Sequence, residues 1–499
     1  MSSATVTRPA PSTRPAGAAE RSRGAARLRR LEWLGLAALC LGAAIGFLFY
    51  PTYPNYDSIY SLLWGREVLD LQTPSFRAYR APTEHPLAIA IGALLSLLGD
   101  GGDRVWVALT VASFVALVVG LYALGKEAFT PLVGAVAAAL LITRFDFPFL
   151  AARGYIDPAY LALVVWAAVL ELRRPRRGTV VLALLALAGL LRPEGWLLAG
   201  LYWLWLLPGA TWAQRVRWAL LVGLAPIVWI CVDYAVTGDP LFSLNGTSEL
   251  AAELGRNKGA GAVPSALLAF LVKLAKFPVV AGGVVGAGLA LLLVPLRLRM
   301  PLALFAVGVA NFALVGAAGL SVIDRYLLVP SLMVMVLCGV ALGGWTMLRA
   351  GTLPRRVWMV GAVALVVFGI AFTASRVNVN RLHSELRFRG DAHRAFEDLL
   401  RSPAVAAGLR CGPLLVPNHK LIPDARWILG LAPGRVVARS DPDRPAQRVR
   451  GGVAVLVHGR AALFNSVLLG DARDPVFNLP PAGYERRAVT RYYAAYVRC

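Results

Sequence analysis

Charge is sparse in this sequence: Asp, Glu, Lys and Arg make up only 16% of its 499 residues, against 58% hydrophobic. With the apolar residues drawn into runs of about 13 to 28, so dilute a charge excludes an ordinary soluble protein and points to a polytopic membrane protein. The chain also lacks an internal repeat, a coiled-coil heptad, a Walker loop and a glycine-rich nucleotide loop, so a cytoplasmic nucleotide-sugar site has no support. The formal net charge is +23, but the basic residues form no single face and no arginine tract with interleaved aromatics. Nucleic acid is therefore not an expected partner. Cysteine is scarce as well: of five, Cys40, Cys231 and Cys338 fall inside apolar runs as small core residues.

What is present is a regular alternation of apolar runs and short basic connections. Residues 1–30 read as a disordered basic cytoplasmic tail, and 31–50 as a retained first span. That run is too long for a signal-peptide core, and Tyr50-Pro51-Thr52-Tyr53 is no small-residue cleavage site. About 11 to 13 transmembrane helices are expected over 31–374, with a first outer loop at 51–86 and a second at 237–266. The segment 131–156, broken by Arg144, Asp146 and Pro148, predicts two short half-membrane helices packed in protein. Single spans are expected at 87–98, 105–124, 157–172, 178–191, 196–208, 218–236, 267–295, 301–320, 326–348 and 357–374. This parity puts the clusters around Arg173 and Arg177, Arg215 and Arg217, Arg297 and Arg299, and Arg355 and Arg356 on one side. By the positive-inside rule that side is the cytoplasm.

Hydropathy collapses near Ser375, and residues 375–499 read as a small extracytoplasmic α/β domain. An amphipathic helix over 383–401 and strands at 414–416 and 453–457 are expected there. In an oxidising exterior Cys411 and Cys499 are either free thiols or a disulfide closing a loop of about 90 residues, to which chain entropy would credit about 4 to 5 kcal/mol.

The same parity gathers onto the outer side the charged residues that have no use in topology. Asp57, just past the first span, reads either as part of a helix cap for 58–69 or as a general base. Glu84 and His85 precede Pro86 at the next span and are candidates for substrate binding. A divalent metal (Mg, Mn or Ca) is a further candidate there, although adjacent side chains seldom reach one ion. Asp157-Pro158 fits a capped helix start. Arg192 and Glu194 flank Pro193 and can pair with each other, and Asp324-Arg325-Tyr326 opens a late span. Charges of both signs at the ends of so many spans are explained together by a shared polar cavity. Arginines in such a cavity suit a phosphate, with Arg325 first, then Arg192, then Arg153.

These residues, in this order and topology, resemble the GT-C superfamily of integral-membrane glycosyltransferases. Its members include protein mannosyltransferases, the lipid A aminoarabinose transferase and mycobacterial arabinofuranosyl- and mannosyltransferases. The resemblance runs over about 31–374 and rests on Asp57, Glu84-His85-Pro86-Leu87, Asp157-Pro158, Arg192-Pro193-Glu194-Gly195 and Asp324-Arg325-Tyr326-Leu327-Leu328. It implies a GT-C-like fold, with Asp57 as catalytic base and a polyprenyl-phosphate sugar as donor. Glu84, His85, Asp157, Arg192, Glu194 and Tyr326 would bind substrate, and Arg325 and Arg153 the donor phosphate. The acceptor would be a cell-envelope glycan, glycolipid or protein, and membrane lipids the surroundings. Two departures stand out: Ser58 follows Asp57 where the family often pairs two acids, and the Trp-Trp-Asp signature of oligosaccharyltransferases is absent. The scarcity of lysine beside abundant Ala, Arg, Gly and Leu resembles proteins of high-GC bacteria such as actinobacteria, for which a decaprenyl-phosphate-linked mannose or arabinose would be the donor. The expectation is a plasma-membrane glycosyltransferase; the rivals are a lipid-linked-sugar transporter or flippase and a non-catalytic envelope-assembly scaffold.

Overall fold

The computed structural model of the chain describes residues 16–253, 259–376, 378, 380–443, 449, 451–459 and 478–499. Contacts divide it into two compact units, the second running Tyr50–Cys499. The first holds α1 (Ala16–Phe49), in which Gly24–Phe49 is long and apolar enough to cross a membrane. The tail expected to be disordered over 1–30 is therefore helical from Ala16, and residues 1–15 lie outside the described residues. Past Pro15 the segment is rich in Ala and Arg, good helix formers that extend a helix already nucleated by the apolar run.

The second unit begins with α2 (Tyr56–Leu69) and α3 (Pro86–Ser96), which approach so closely at Gly65 and Gly92 that a Cβ on either would strike the backbone of the other helix. After α4 (Gly102–Ala128) come α5 (Pro131–Thr143) and α6 (Asp146–Ala152), bent by 64° across the extended Arg144. These are the two half-helices that the polar break predicts. Helices α7 (Asp157–Arg173), α8 (Thr179–Leu191), α9 (Glu194–Leu206) and α10 (Trp212–Thr237) follow.

Residues 237–266, expected as a loop between spans, carry a helix, α11 (Phe242–Glu253), with 254–258 outside the described residues. One expectation needs correction in the next stretch. The single span expected over 267–295 is two helices, α12 (Val263–Ala275) and α13 (Phe277–Leu293), bent by 105°. Lys276 at the bend has φ 74°, and Pro278 beyond it has no N–H to continue the first helix. The helical stretch closes with α14 (Pro295–Ala317), α15 (Leu328–Gly343) and α16 (Leu353–Arg376). A 3₁₀ turn, Asp324–Leu327, leads into α15, and 94% of this span's apolar window is buried, against 17% for α10, 22% for α14 and 11% for α16.

Among the described residues six helices are long and apolar enough to span a membrane, or up to eight if each bent pair is one span; α3 and α8 are apolar but shorter. The expected total of about 11 to 13 counts such short helices as crossings.

The C-terminal segment folds as α17 (Arg381–Leu400), α18 (Pro403–Gly408), α19 (Ile422–Leu429) and one sheet of β1 (Leu414–Val416), β2 (Val436–Ala438), β3 (Gly452–Val457), β4 (Glu485–Val489) and β5 (Tyr493–Arg498). The strand order is β2-β1-β3-β5-β4, with β1 parallel to β2 and β3, and β5 antiparallel to β3 and β4. Alternation sorts the faces: Leu414, Val416, Val453 and Val455 pack on Phe396 and Leu399, while Leu415 and Ala454 pack on the other side with Tyr484. Cys411 and Cys499 are joined by a disulfide with a Cα–Cα distance of 5.2 Å. The sheet shares one compact unit with α2–α16 instead of forming a separate body.

Candidate active site

The site begins where α2 does. Asn55 is the cap: its extended backbone and its side-chain oxygen, accepting from the Ser58 N–H at 3.3 Å, satisfy the first turn. Asp57 sits inside that turn with its carboxylate spared, so the reading of Asp57 as the cap gives way to one of a free acid.

The turn is locked from the far side by the 153–155 loop after α6. The Gly154 carbonyl accepts from Ser58 Oγ at 2.7 Å and from Trp106 Nε1 at 2.8 Å. Gly154 has φ 66°, and a Cβ there would crowd Pro54 and Trp106. Arg153 is buried, donates to the Tyr53 carbonyl at 2.8 Å and lies 3.7 Å over the Tyr53 ring, whose other contact is the His393 ring stacked at 3.8 Å. These contacts hold the loop before α2.

At the start of α7 the cap position is Ile156, not Asp157. Asp157 is fully buried and is gripped by two arginines: Arg192 Nη1 at 2.5 Å from Oδ1, and Arg325 Nη2 at 2.9 Å from Oδ2. Two guanidinium partners are what make a completely buried carboxylate tolerable. Arg192, extended between α8 and α9, also binds Glu194 Oε1 through Nε at 3.0 Å and Nη2 at 2.8 Å, and faces the Tyr160 and Tyr326 rings. Arg325 reaches past Asp157 to Asp57 Oδ2 at 3.4 Å. It does not pair with its neighbour Asp324, which is bonded to Lys273 at 2.5 Å. The network runs from a sealed end, Asp157 and Arg192 with 0% and 7% side-chain exposure, to an open end, Asp57 and Arg325 with 27% and 26%.

Glu84 and His85 part company. Ser243 Oγ stands 2.7 Å from Glu84 Oε2 and 2.8 Å from Asp233 Oδ1. Ser243 has one hydroxyl hydrogen for the two carboxylates. Burial pushes Glu84 up to about 7, toward its protonated form. The His85 ring packs edge-on to Trp229, and burial, with Arg192 and Arg325 nearby, lowers its pKa to about 3, leaving a neutral imidazole. Among the described residues no three His, Cys, Asp or Glu side chains gather as a metal site, so a divalent ion at Glu84 and His85 would have no third protein ligand of those types.

Two pockets border this cluster. One, narrow, joins Arg325, Tyr326, Tyr160 and Glu194 to apolar walls from Leu198, Val307, Leu328 and Val329. Asn311 of α14 also lines it, with a buried amide nitrogen that has no partner. The second, wider and with a cavity volume of about 240 Å³, lies between the first loop and α11 and includes Glu84. Sequence reasoning missed Asn311, Asp233 and Ser243. Asp233, an acid within an apolar run, carried the only signal.

No protein-family model and no curated protein matches the sequence. Among the solved structures that match the fold are ArnT from Cupriavidus metallidurans bound to undecaprenyl phosphate and the same protein in the apo state. The first has a TM-score of 0.54 at 14% identity, covering 93% of this chain and 98% of that one. The second has a TM-score of 0.51 at 15% identity, covering 94% and 98%. At such identities the likeness is one of fold, and over nearly its full length this chain has the fold of ArnT.

Proposed function

We propose that the chain is an inverting glycosyltransferase that moves a monosaccharide from a polyprenyl-phosphate donor to a hydroxyl of a cell-envelope glycan, glycolipid or protein. The observation that carries this reading is the open end of the ion network. There a partly exposed carboxylate, Asp57, lies 3.4 Å from a partly exposed guanidinium, Arg325, beside an apolar-walled pocket. A base and a phosphate-binding cation are the two groups such a transfer needs in one place. The undecaprenyl phosphate bound to the ArnT structure of the same fold supports a polyprenyl-phosphate donor.

In the proposed step Asp57 takes the proton of the acceptor hydroxyl as its oxygen attacks the anomeric carbon. The bond from that carbon to the phosphate oxygen breaks, its electron pair leaves with the polyprenyl phosphate, and the configuration inverts. Arg325 neutralises the departing phosphate, and the Asn311 amide is placed to donate a further hydrogen bond. The contact between Arg325 and Asp57 is long, 3.4 Å, and is the only one Asp57 makes in the network, so a phosphate displaces it at small cost. Asp157 and Arg192 hold Arg325 in register, and the apolar walls take the first isoprene units.

The reaction is assigned to the outer face of the plasma membrane, with the N-terminus cytoplasmic. The agreement of span parity with the basic clusters supports that side, and so does the disulfide, since such bonds persist in oxidising compartments. The test supplies purified protein with a radiolabelled polyprenyl-phosphate monosaccharide and an acceptor glycan. Loss of transfer in Asp57→Asn with donor binding retained is expected; equal transfer by both proteins would remove Asp57 from the chemistry. An Arg376→Cys protein labelled by an impermeant thiol reagent only after lysis would overturn the assigned side.

A further inference from the structure

We propose that the pocket between the first loop and α11 is the acceptor subsite, and that it takes an uncharged, hydroxyl-rich sugar ring. This rests on the glycosyltransferase reading and goes beyond it by giving the acceptor a place separate from the donor's. The pocket is an open cleft with a cavity volume of about 240 Å³. Phe76 and Phe242 supply apolar faces, and Thr83, Ser243 and Thr247 supply hydroxyls. Glu84 lines it at 1% exposure, and its Oε1 has no hydrogen-bond partner, although Oε2 is bonded to Ser243. A buried carboxyl oxygen left without a partner is a site awaiting a donor, and a sugar hydroxyl is one.

The two arginines around the pocket are already engaged, which argues against an anionic ligand. Arg80 donates Nε and Nη2 to Glu253 Oε1 at 2.8 and 2.6 Å, and Arg77 donates to the Thr237 carbonyl at 2.7 Å. The pocket is tied to the base as well: Tyr56, the residue before Asp57, donates its hydroxyl to the Arg80 carbonyl at 2.8 Å. Donor and acceptor would therefore reach Asp57 from different pockets.

Gly246 supplies a clean test, because it lines the pocket from within α11 and a Cβ there meets nothing within 4 Å. Gly246→Trp in full-length protein in nanodiscs is expected to raise the acceptor KM at least about tenfold, with the donor Kd changed less than about twofold. Thr247→Ala, a smaller change in the same wall, should raise the acceptor KM by a few fold and guards against misfolding by the tryptophan. An unchanged acceptor KM in both variants, or parallel loss of donor affinity, would overturn the subsite. If the wild type neither transfers nor hydrolyses donor, the enzyme reading fails. Binding of mannobiose or arabinobiose then decides the pocket, and equal binding by wild type and Gly246→Trp sinks it. Preference for glucosamine or a sugar phosphate over the neutral disaccharides would overturn the uncharged class.

Discussion

Two arginine–carboxylate systems meet on one helix, α2, and they are built to opposite ends. Near its end, Glu67 binds Arg426 of α19 at 2.5 Å, with side-chain exposures of 5% and 2%. Ser75 donates its N–H and hydroxyl to Glu67 at 2.7 and 3.0 Å, and Arg426 also donates to Ser75 Oγ and the Leu431 carbonyl. At its start, Asp57 has one long contact to an arginine already committed to Asp157. The same chemistry thus yields a saturated joint and an unsaturated one. The joint fastens α2 to the α/β segment, and the unsaturated end is where the proposed reaction places its substrates.

The sharpest way to break this contrast is to remove the base. Asp57→Asn should lower transfer by about 10² to 10⁴, the usual contribution of a positioned base, while the lipid donor still binds in a thermal-shift assay. Arg426→Met comes next. It strands Glu67 without its cation and should cost about 3 to 5 kcal/mol in detergent unfolding, whereas Glu67→Leu with Arg426→Met should recover much of that. An unaltered unfolding midpoint in the single variant would show that the joint is not sealed. Arg325→Lys keeps the charge but loses the fork, and should weaken donor binding by about tenfold or somewhat more with the melting temperature nearly held.

A further test is on pH. Glu84, facing Asp233 and Ser243, and Asp424, near Arg153, Asp103 and His393, are both pushed by burial up to about 7. The native state keeps protons that the unfolded chain releases, so stability should fall as pH rises from about 4.5 to about 7 and then level off. Glu84→Gln and Asp424→Asn should each flatten part of that slope in pH-dependent melts, and an unchanged slope in both would refute the raised carboxyls.

Much of this arrangement was legible because hydropathy and charge are linear signals. The apolar runs, the break at Arg144–Pro148, the strands at Leu414 and Val453, and the return of charge at span ends each follow from local composition. The residues joined in space were not legible. Nothing local says that Asn55 rather than Asp57 caps α2, that Asp157 faces two arginines, or that Arg325 ignores Asp324. The bend at Lys276 escaped because its flanks are apolar enough to read as one run. Asn311 escaped because a lone amide in a span carries no pattern.

Arg325 stands at the foot of the most enclosed span among the described residues, its window 94% buried, whereas the windows of α10, α14 and α16 are 17%, 22% and 11% buried. A helix packed on all sides cannot slide or tilt without repacking its neighbours, because protein interiors are dense. On the proposed reaction, the cation assigned to the phosphate is therefore a fixed post. Whatever motion would admit a long isoprenoid tail, or release it, then falls to the looser elements around it.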